Sequence, residues 1–110
     1  MTENIKDTAL SYFKTFSEKN IDGLREMFDD NVTLRDWDID KKGIESVLKA
    51  NLNIFQNVKT INAIPQNIIS KNNFVFAELK IVVNDNELKV VDLIEFNKKG
   101  KIISIKAFKG

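Results

Sequence analysis

Cysteine and histidine are both missing from this chain of 110 residues. Without cysteine there can be no disulfide, no thiolate metal site and no cysteine nucleophile. Without histidine there is no serine–histidine triad, no imidazole base and no histidine metal cluster. Charge of one sign is also lacking: the net charge is +1, which gives no broad field for drawing in nucleic acid or an anionic membrane. Long hydrophobic runs are absent. The longest is the four residues Phe74 to Ala77, far too short to span a membrane. The start, Met1-Thr2-Glu3-Asn4-Ile5-Lys6-Asp7, has no apolar signal region, so a cytoplasmic location is the expectation. Proline occurs once, at Pro65, where it argues for an edge strand or a bulge.

What is present describes an ordinary globular chain, 43% hydrophobic and 30% charged. The length suits one domain over residues 1–110, with a single core. From about Glu3 to Lys19, the residues Ile5, Ala9, Tyr12, Phe13 and Phe16 recur at helical spacing and form an apolar stripe. Asn20-Ile21-Asp22-Gly23 breaks that helix, and Asp22 can cap a second, short one carrying Leu24, Met27 and Phe28 and ending near Asn31. Val32 to Trp37 alternates, with Val32, Leu34 and Asp36 on one face. Asp38 to Gly43 is polar and reads as a loop. A third amphipathic helix follows from Ile44 to about Asn57, with Ile44, Val47, Leu48, Leu52 and Phe55 on its stripe.

After that the pattern turns to strands. Lys59 to Ser70, Phe74 to Val83, Glu87 to Phe96 and Lys101 to Lys109 are separated by Lys71-Asn72-Asn73, Asn84-Asp85-Asn86 and Lys98-Lys99-Gly100. Val75, Ala77, Leu79, Ile81 and Val83 share an apolar face, as do Ile103, Ile105 and Ala107. Helices followed by hairpin-linked strands predict an α+β domain with an antiparallel sheet. Apolar residues on both faces of the late strands call for helices on one side and a second copy of the chain on the other, a homodimer through the sheet.

Three polar residues interrupt otherwise apolar faces. In Glu87 to Phe96, one face reads Leu88, Val90, Asp92, Ile94, Phe96. An unpaired carboxylate in that register is costly, so Asp92 must be protonated, hydrogen-bonded or facing a cavity. Asp36 stands in the same way beside Val32 and Leu34. Tyr12, the only tyrosine, lies inside the first helix's stripe. If the three faces converge, these groups line one mostly apolar pocket, the usual form of a small-molecule site. Two carboxyls in different surroundings can divide into a base and a neutral acid, and a phenol beside a protonated carboxyl makes an oxyanion hole. Each residue also has a structural explanation: Tyr12 as core, Asp36 as a turn former, Asp92 tied to backbone. Asp36-Trp37-Asp38-Ile39-Asp40 is not a calcium loop, since the sixth position is Lys41 and the twelfth is Val47.

The element order, together with Tyr12-Phe13, Asp22-Gly23-Leu24, Met27 to Asp36, Gly43-Ile44, Val91 to Asn97 and Gly100 to Phe108, resembles the nuclear transport factor 2-like superfamily, which includes ketosteroid isomerases and SnoaL-like polyketide cyclases. The resemblance implies a cone-like fold, a curved sheet wrapped around three helices with a pocket inside, often in homodimers. Ketosteroid isomerase is the functional match it points to. Its oxyanion-hole tyrosine falls on Tyr12, its general base on Asp36 and its protonated oxyanion-hole aspartate on Asp92. On that reading Asp36 moves a proton alpha to a carbonyl of an apolar small molecule while Tyr12 and neutral Asp92 hold the dienolate oxygen. Phe16, Trp37, Phe55, Val90 and Ile94 are the expected substrate-binding walls. No cofactor or metal is implied. Trp37 stands where that enzyme typically has proline, and no second tyrosine extends the network. A SnoaL-like cyclase, or a binding or dimerisation module without turnover, shares the same scaffold.

Overall fold

A computed structural model describes residues 4–110. Three helices and six strands follow one another as α1 (Ile5–Ser17), α2 (Ile21–Met27), β1 (Phe28–Arg35), β2 (Asp40–Lys42), α3 (Ile44–Asn57), β3 (Ile61–Lys71), β4 (Phe74–Val83), β5 (Asn86–Phe96) and β6 (Ile102–Lys109). The strands form one open sheet in the order β2-β1-β6-β5-β4-β3. β1 runs parallel to β6, and every other pairing is antiparallel. The sheet is therefore mixed, and it curves around the helices as the α+β cone expected from the sequence. No helix among the described residues is long and apolar enough to cross a membrane.

Local chemistry explains most of the boundaries. Asn4 caps α1 by accepting from Lys6 N at 3.1 Å; an expected start at Glu3 lies outside the described residues. α2 is capped by Asn20, whose Oδ1 accepts from Gly23 N at 2.9 Å, and not by Asp22, which sits inside the first turn. Gly23 is needed where α2 meets α1: a Cβ there would lie 2.7 Å from Thr15 Cγ2. Strand β1 begins at Phe28, directly after Met27, so the second helix is shorter than its apolar spacing suggests. The polar segment after Trp37 contains β2, a short edge strand with all three residues exposed, which leaves no apolar alternation to reveal it.

The hairpins turn on asparagine. Asn72 and Asn84 take φ of 55° in the two-residue connections β3–β4 and β4–β5, a region asparagine tolerates. Pro65 lies on the edge strand β3 at a shift of register between Pro65 and Asn67, as its missing N–H requires. A second irregularity re-aims the last strand. Glu95 pairs with Ser104 but Phe96 with Ile102, so Ile103 is left over as a bulge. Ile102 and Ile105 are consequently the deeply buried residues of β6, in place of a plain alternation through Ile103.

The core lies between the concave face of the sheet and the helices. Phe13, Leu24, Val47, Val75, Leu79, Ile94, Phe96 and Ile102 are buried to 2% exposure or less. Each such side chain removed from water contributes about 1.5–3 kcal/mol before entropy is counted. α1 packs against β3 and β4, α3 against β1 and β2, and α2 joins the two longer helices. Between the helices and the sheet a cavity remains, and that is where the site forms.

Candidate functional site

Inside the cone is a cavity of about 180 Å³. Its wall is almost entirely apolar, with Phe13, Phe16, Leu34, Leu79 and Val90 among the lining side chains. Tyr12, Asp36 and Asp92 all reach it, so three chain segments bring together the three polar groups that the sequence sets apart.

Each arrives by its own local rule. Tyr12 follows Ala9 by three positions on the inward stripe of α1 and is 5% exposed. Its ring packs among Phe13, Phe16 and Phe28, at centroid separations of 5.4, 6.2 and 6.1 Å. Asp92 lies between Val90 and Ile94 on the inward face of β5 and is 7% exposed. Its neighbours in register are Ala77 on β4 and Ala107 on β6. Two alanines flanking an aspartate leave open space that larger side chains would occupy. Among the described residues, neither the Tyr12 hydroxyl nor the Asp92 carboxyl makes a hydrogen bond to another protein group.

Burial without partners governs their ionisation. Desolvation, with the charge of Asp36 added, pushes the Asp92 carboxyl up to about 7. Desolvation also drives the Tyr12 phenol well above its ordinary value, and a charge on Asp92 drives it further. At mildly acidic pH both groups are therefore neutral donors facing an apolar space.

Asp36 is held differently. It lies one residue beyond β1, half-buried, and its Oδ1 accepts from Asp38 N at 2.7 Å and Ile39 N at 2.6 Å. Its own N–H donates to Ile39 O at 2.9 Å. The residue thus forms the turn into β2 and lines the cavity as well. Arg35 is directed away and pairs with Asp40 at 3.3 Å. Trp37, 43% exposed, stands at the mouth with Lys109 Nζ 5.5 Å from its ring centroid. Asp36, Trp37 and Ala107 line both the cavity and an outer groove containing Phe108.

Of the five expected walls, Phe16, Trp37 and Val90 line the cavity, whereas Phe55 and Ile94 do not. Phe55 stands behind Phe16, edge-on at 5.1 Å. Ile94 is two residues past Asp92, about 7 Å along the strand, where the core has closed. One polar residue on the wall was not anticipated. Asn51, 2% exposed, lies on the buried stripe of α3 with Val47, Leu48 and Phe55, while Leu52 is 42% exposed. The same signal that marks Asp92, a polar residue in an apolar register, was there to be read at Asn51. Among the described residues, no cluster of three acidic side chains is placed to hold a metal ion.

A family model described as a SnoaL-like domain matches residues 9–105. No curated protein sequence matches the chain. Among solved structures, an NTF2-like protein of unknown function from Cytophaga hutchinsonii superposes with a TM-score of 0.84 at 15% identity, covering 100% of this chain and 93% of that one. A protein from Shewanella denitrificans, provisionally named a SnoaL-like polyketide cyclase, gives 0.88 at 12% identity, covering 96% and 90%. One from Agrobacterium tumefaciens, provisionally named an isomerase of the SnoaL-like family, gives 0.81 at 14%, covering 93% of each chain. At such identities the likeness establishes the fold alone.

Proposed function

The chain belongs to the SnoaL-like domain family of the nuclear transport factor 2-like superfamily, and on that footing we propose that it is a small cofactor-independent enzyme that moves a proton alpha to the carbonyl of an apolar compound. One observation carries the reading: a phenol and a carboxyl, both buried and both without protein partners, share an apolar cavity with a second, half-buried carboxyl. Asp36 is the base. The proton leaves the carbon next to the carbonyl for Asp36, the carbon–hydrogen electron pair passes into the enolate, and its negative charge collects on the oxygen. Tyr12 and protonated Asp92 donate hydrogen bonds to that oxygen, in a setting where such donors count for more than in water. Return of the proton at a different carbon completes an isomerisation.

Size narrows the guest. A cavity of about 150 Å³ holds benzene, so one of about 180 Å³ suits a compound of one or two rings. A longer skeleton would extend past Trp37 into the outer groove. The enzyme is tested by following isomerisation of a cyclic β,γ-enone by absorbance, in the native protein and in Asp36→Asn. Turnover lost in the variant supports the reading; no turnover of any enone, or equal rates, overturns it.

A reading without turnover draws support from Asp36, whose carboxylate already anchors a turn through two backbone amides. In a binding module that anchoring is its whole role. Such a protein binds a phenol in the cavity and leaves every enone unchanged.

A further inference from the structure

The group on the cavity wall that the acid–base reading leaves unused is Asn51. A buried carboxamide usually satisfies its oxygen and its two N–H donors with neighbours. Here the side chain is 2% exposed, its Oδ1 is sealed from solvent without a partner, and no hydrogen bond from its Nδ2 is present among the described residues. The surroundings offer no help. Leu48 and Phe55 flank it along the helix, and the neighbouring cavity wall includes Ile54 and Ile61. An apolar residue at this position would cost less, and the rest of the stripe on α3 is apolar.

Asn51 also comes from a different part of the molecule than the other polar groups. Tyr12 is on α1, Asp36 follows β1 and Asp92 is on β5, whereas Asn51 reaches the cavity from α3. A guest held by its carbonyl oxygen at Tyr12 and Asp92 has Asn51 as a further polar neighbour in the same cavity. A half-turn of the carboxamide about its last torsion exchanges oxygen and nitrogen, so either can be turned toward the guest. A hydroxyl is the group that fits both settings, because it donates to Oδ1 and accepts from Nδ2.

We infer that Asn51 is a specificity-determining residue of this cavity and that the natural guest is a hydroxylated carbonyl compound, its carbonyl oxygen at Tyr12 and Asp92 and its hydroxyl at Asn51. The inference rests on the proposed acid–base reading for the first of these anchor points. It adds a second, which separates the true substrate from a plain enone of equal size. A site built to hydrogen-bond a hydroxyl rejects analogues that lack it more strongly than an apolar pocket rejects a change of shape, because its polar group is then left unpaired.

The test uses 2-naphthol and its 1,6-, 2,6- and 2,7-dihydroxy counterparts as fluorescent probes of the cavity. In the native protein at least one diol should bind about tenfold tighter than 2-naphthol. In Asn51→Leu that preference, the ratio of diol to 2-naphthol affinity, should shrink to about threefold or less. Asn51→Ala, which removes the amide without adding bulk, should lose the preference in the same way. The thermal midpoint of Asn51→Leu should hold or rise, since an unpartnered amide is exchanged for hydrocarbon. A fall in the midpoint with equal weakening of all probes makes Asn51 structural and overturns the inference. So does a diol preference unchanged in both variants, or none in the native protein. If 2-naphthol binding weakens in Tyr12→Phe while the diols ignore Asn51, this inference alone fails. If 2-naphthol does not bind in the cavity, the acid–base reading falls with it.

Discussion

Tyr12 and Asp92 reach the same apolar cavity from α1 and β5, and a charge on Asp92 pushes the Tyr12 phenol further from ionising. The pair is therefore most useful with both members neutral. Both are then donors, which is what a developing oxyanion needs. Removing one of them in Tyr12→Phe should lower kcat for enone isomerisation by about 10²–10³, with a much smaller change in KM. Stopped assays on purified native and variant protein, matched for thermal midpoint, check this. A rise in KM with kcat unchanged would place the hydroxyl in ground-state binding instead.

The pH dependence follows from Asp92. Its carboxyl is held up to about 7 by burial, against an ordinary value near 4 in the unfolded chain. Between those two values the folded state binds more protons than the unfolded one, so stability must fall as pH rises. The advantage of the protonated form is fully present below about pH 4 and lost once pH has passed about 7. The whole change is on the order of 4 kcal/mol at most, taking about 1.4 kcal/mol for each unit. Urea unfolding from pH 4 to 8 should show this decline in the native protein and a flatter curve in Asp92→Asn. Activity should share the upper limb: kcat/KM falls as pH rises through about 7, and the amide of Asp92→Asn, a donor at every pH, removes that fall.

How far the site was legible depends on what kind of pattern each residue breaks. Asp92 is plain because a strand alternates at period two, and a carboxyl among Val90, Ile94 and Phe96 has no second face to occupy. Asn51 is harder, since a helical stripe is broad enough to admit either Asn51 or Leu52, and hydrophobicity favours the leucine. Burial chose Asn51. The cap of α2 was read as Asp22 and is Asn20: both carry the right acceptor, and the turn at Lys19, with φ of 57°, puts Asn20 at the start of the helix. The bulge at Ile103 is a property of pairing with Glu95 and Phe96, so it has no local signature in Lys101 to Lys109. The order of elements, β2 apart, and the asparagine turns were readable because their causes are local.

Lys19 supplies a stability test away from the cavity. It has φ of 57°, just past α1, and its Nζ donates to Phe55 O at 3.0 Å, Val58 O at 2.7 Å and Lys59 O at 3.0 Å. The ammonium's three protons thus meet three carbonyls at and beyond the C-terminal end of α3, where the helix leaves its last carbonyls without internal partners. A cation there also opposes the negative end of the helix. Lys19→Met keeps the stem and removes the donors; it should cost about 1–3 kcal/mol in urea unfolding. A loss below about 0.5 kcal/mol, the range of ordinary surface substitutions, would mean that water replaces the ammonium.

The outer face of the sheet makes the last prediction. Ile69, Phe76, Val91 and Phe108 are 64%, 43%, 42% and 58% exposed, on four neighbouring strands β3, β4, β5 and β6. Ile69 is opposite Phe76, and Phe76 opposite Leu93. Val91, next outward on β5, is opposite Phe108. These side chains therefore form a continuous patch on the side away from the helices. Scattered apolar residues on a surface need no explanation, but a contiguous cluster on one face marks an association surface. A second copy of the chain is the proposed occupant, because a two-fold axis through the sheet sets the same patch against itself. Sedimentation velocity should then give a dimer at micromolar concentration. Phe76→Glu, which places a charge in the middle of the patch, should give a monomer with an unchanged cavity. A native protein that sediments as a monomer across that range, or a Phe76→Glu variant that stays dimeric, would remove the sheet face from consideration.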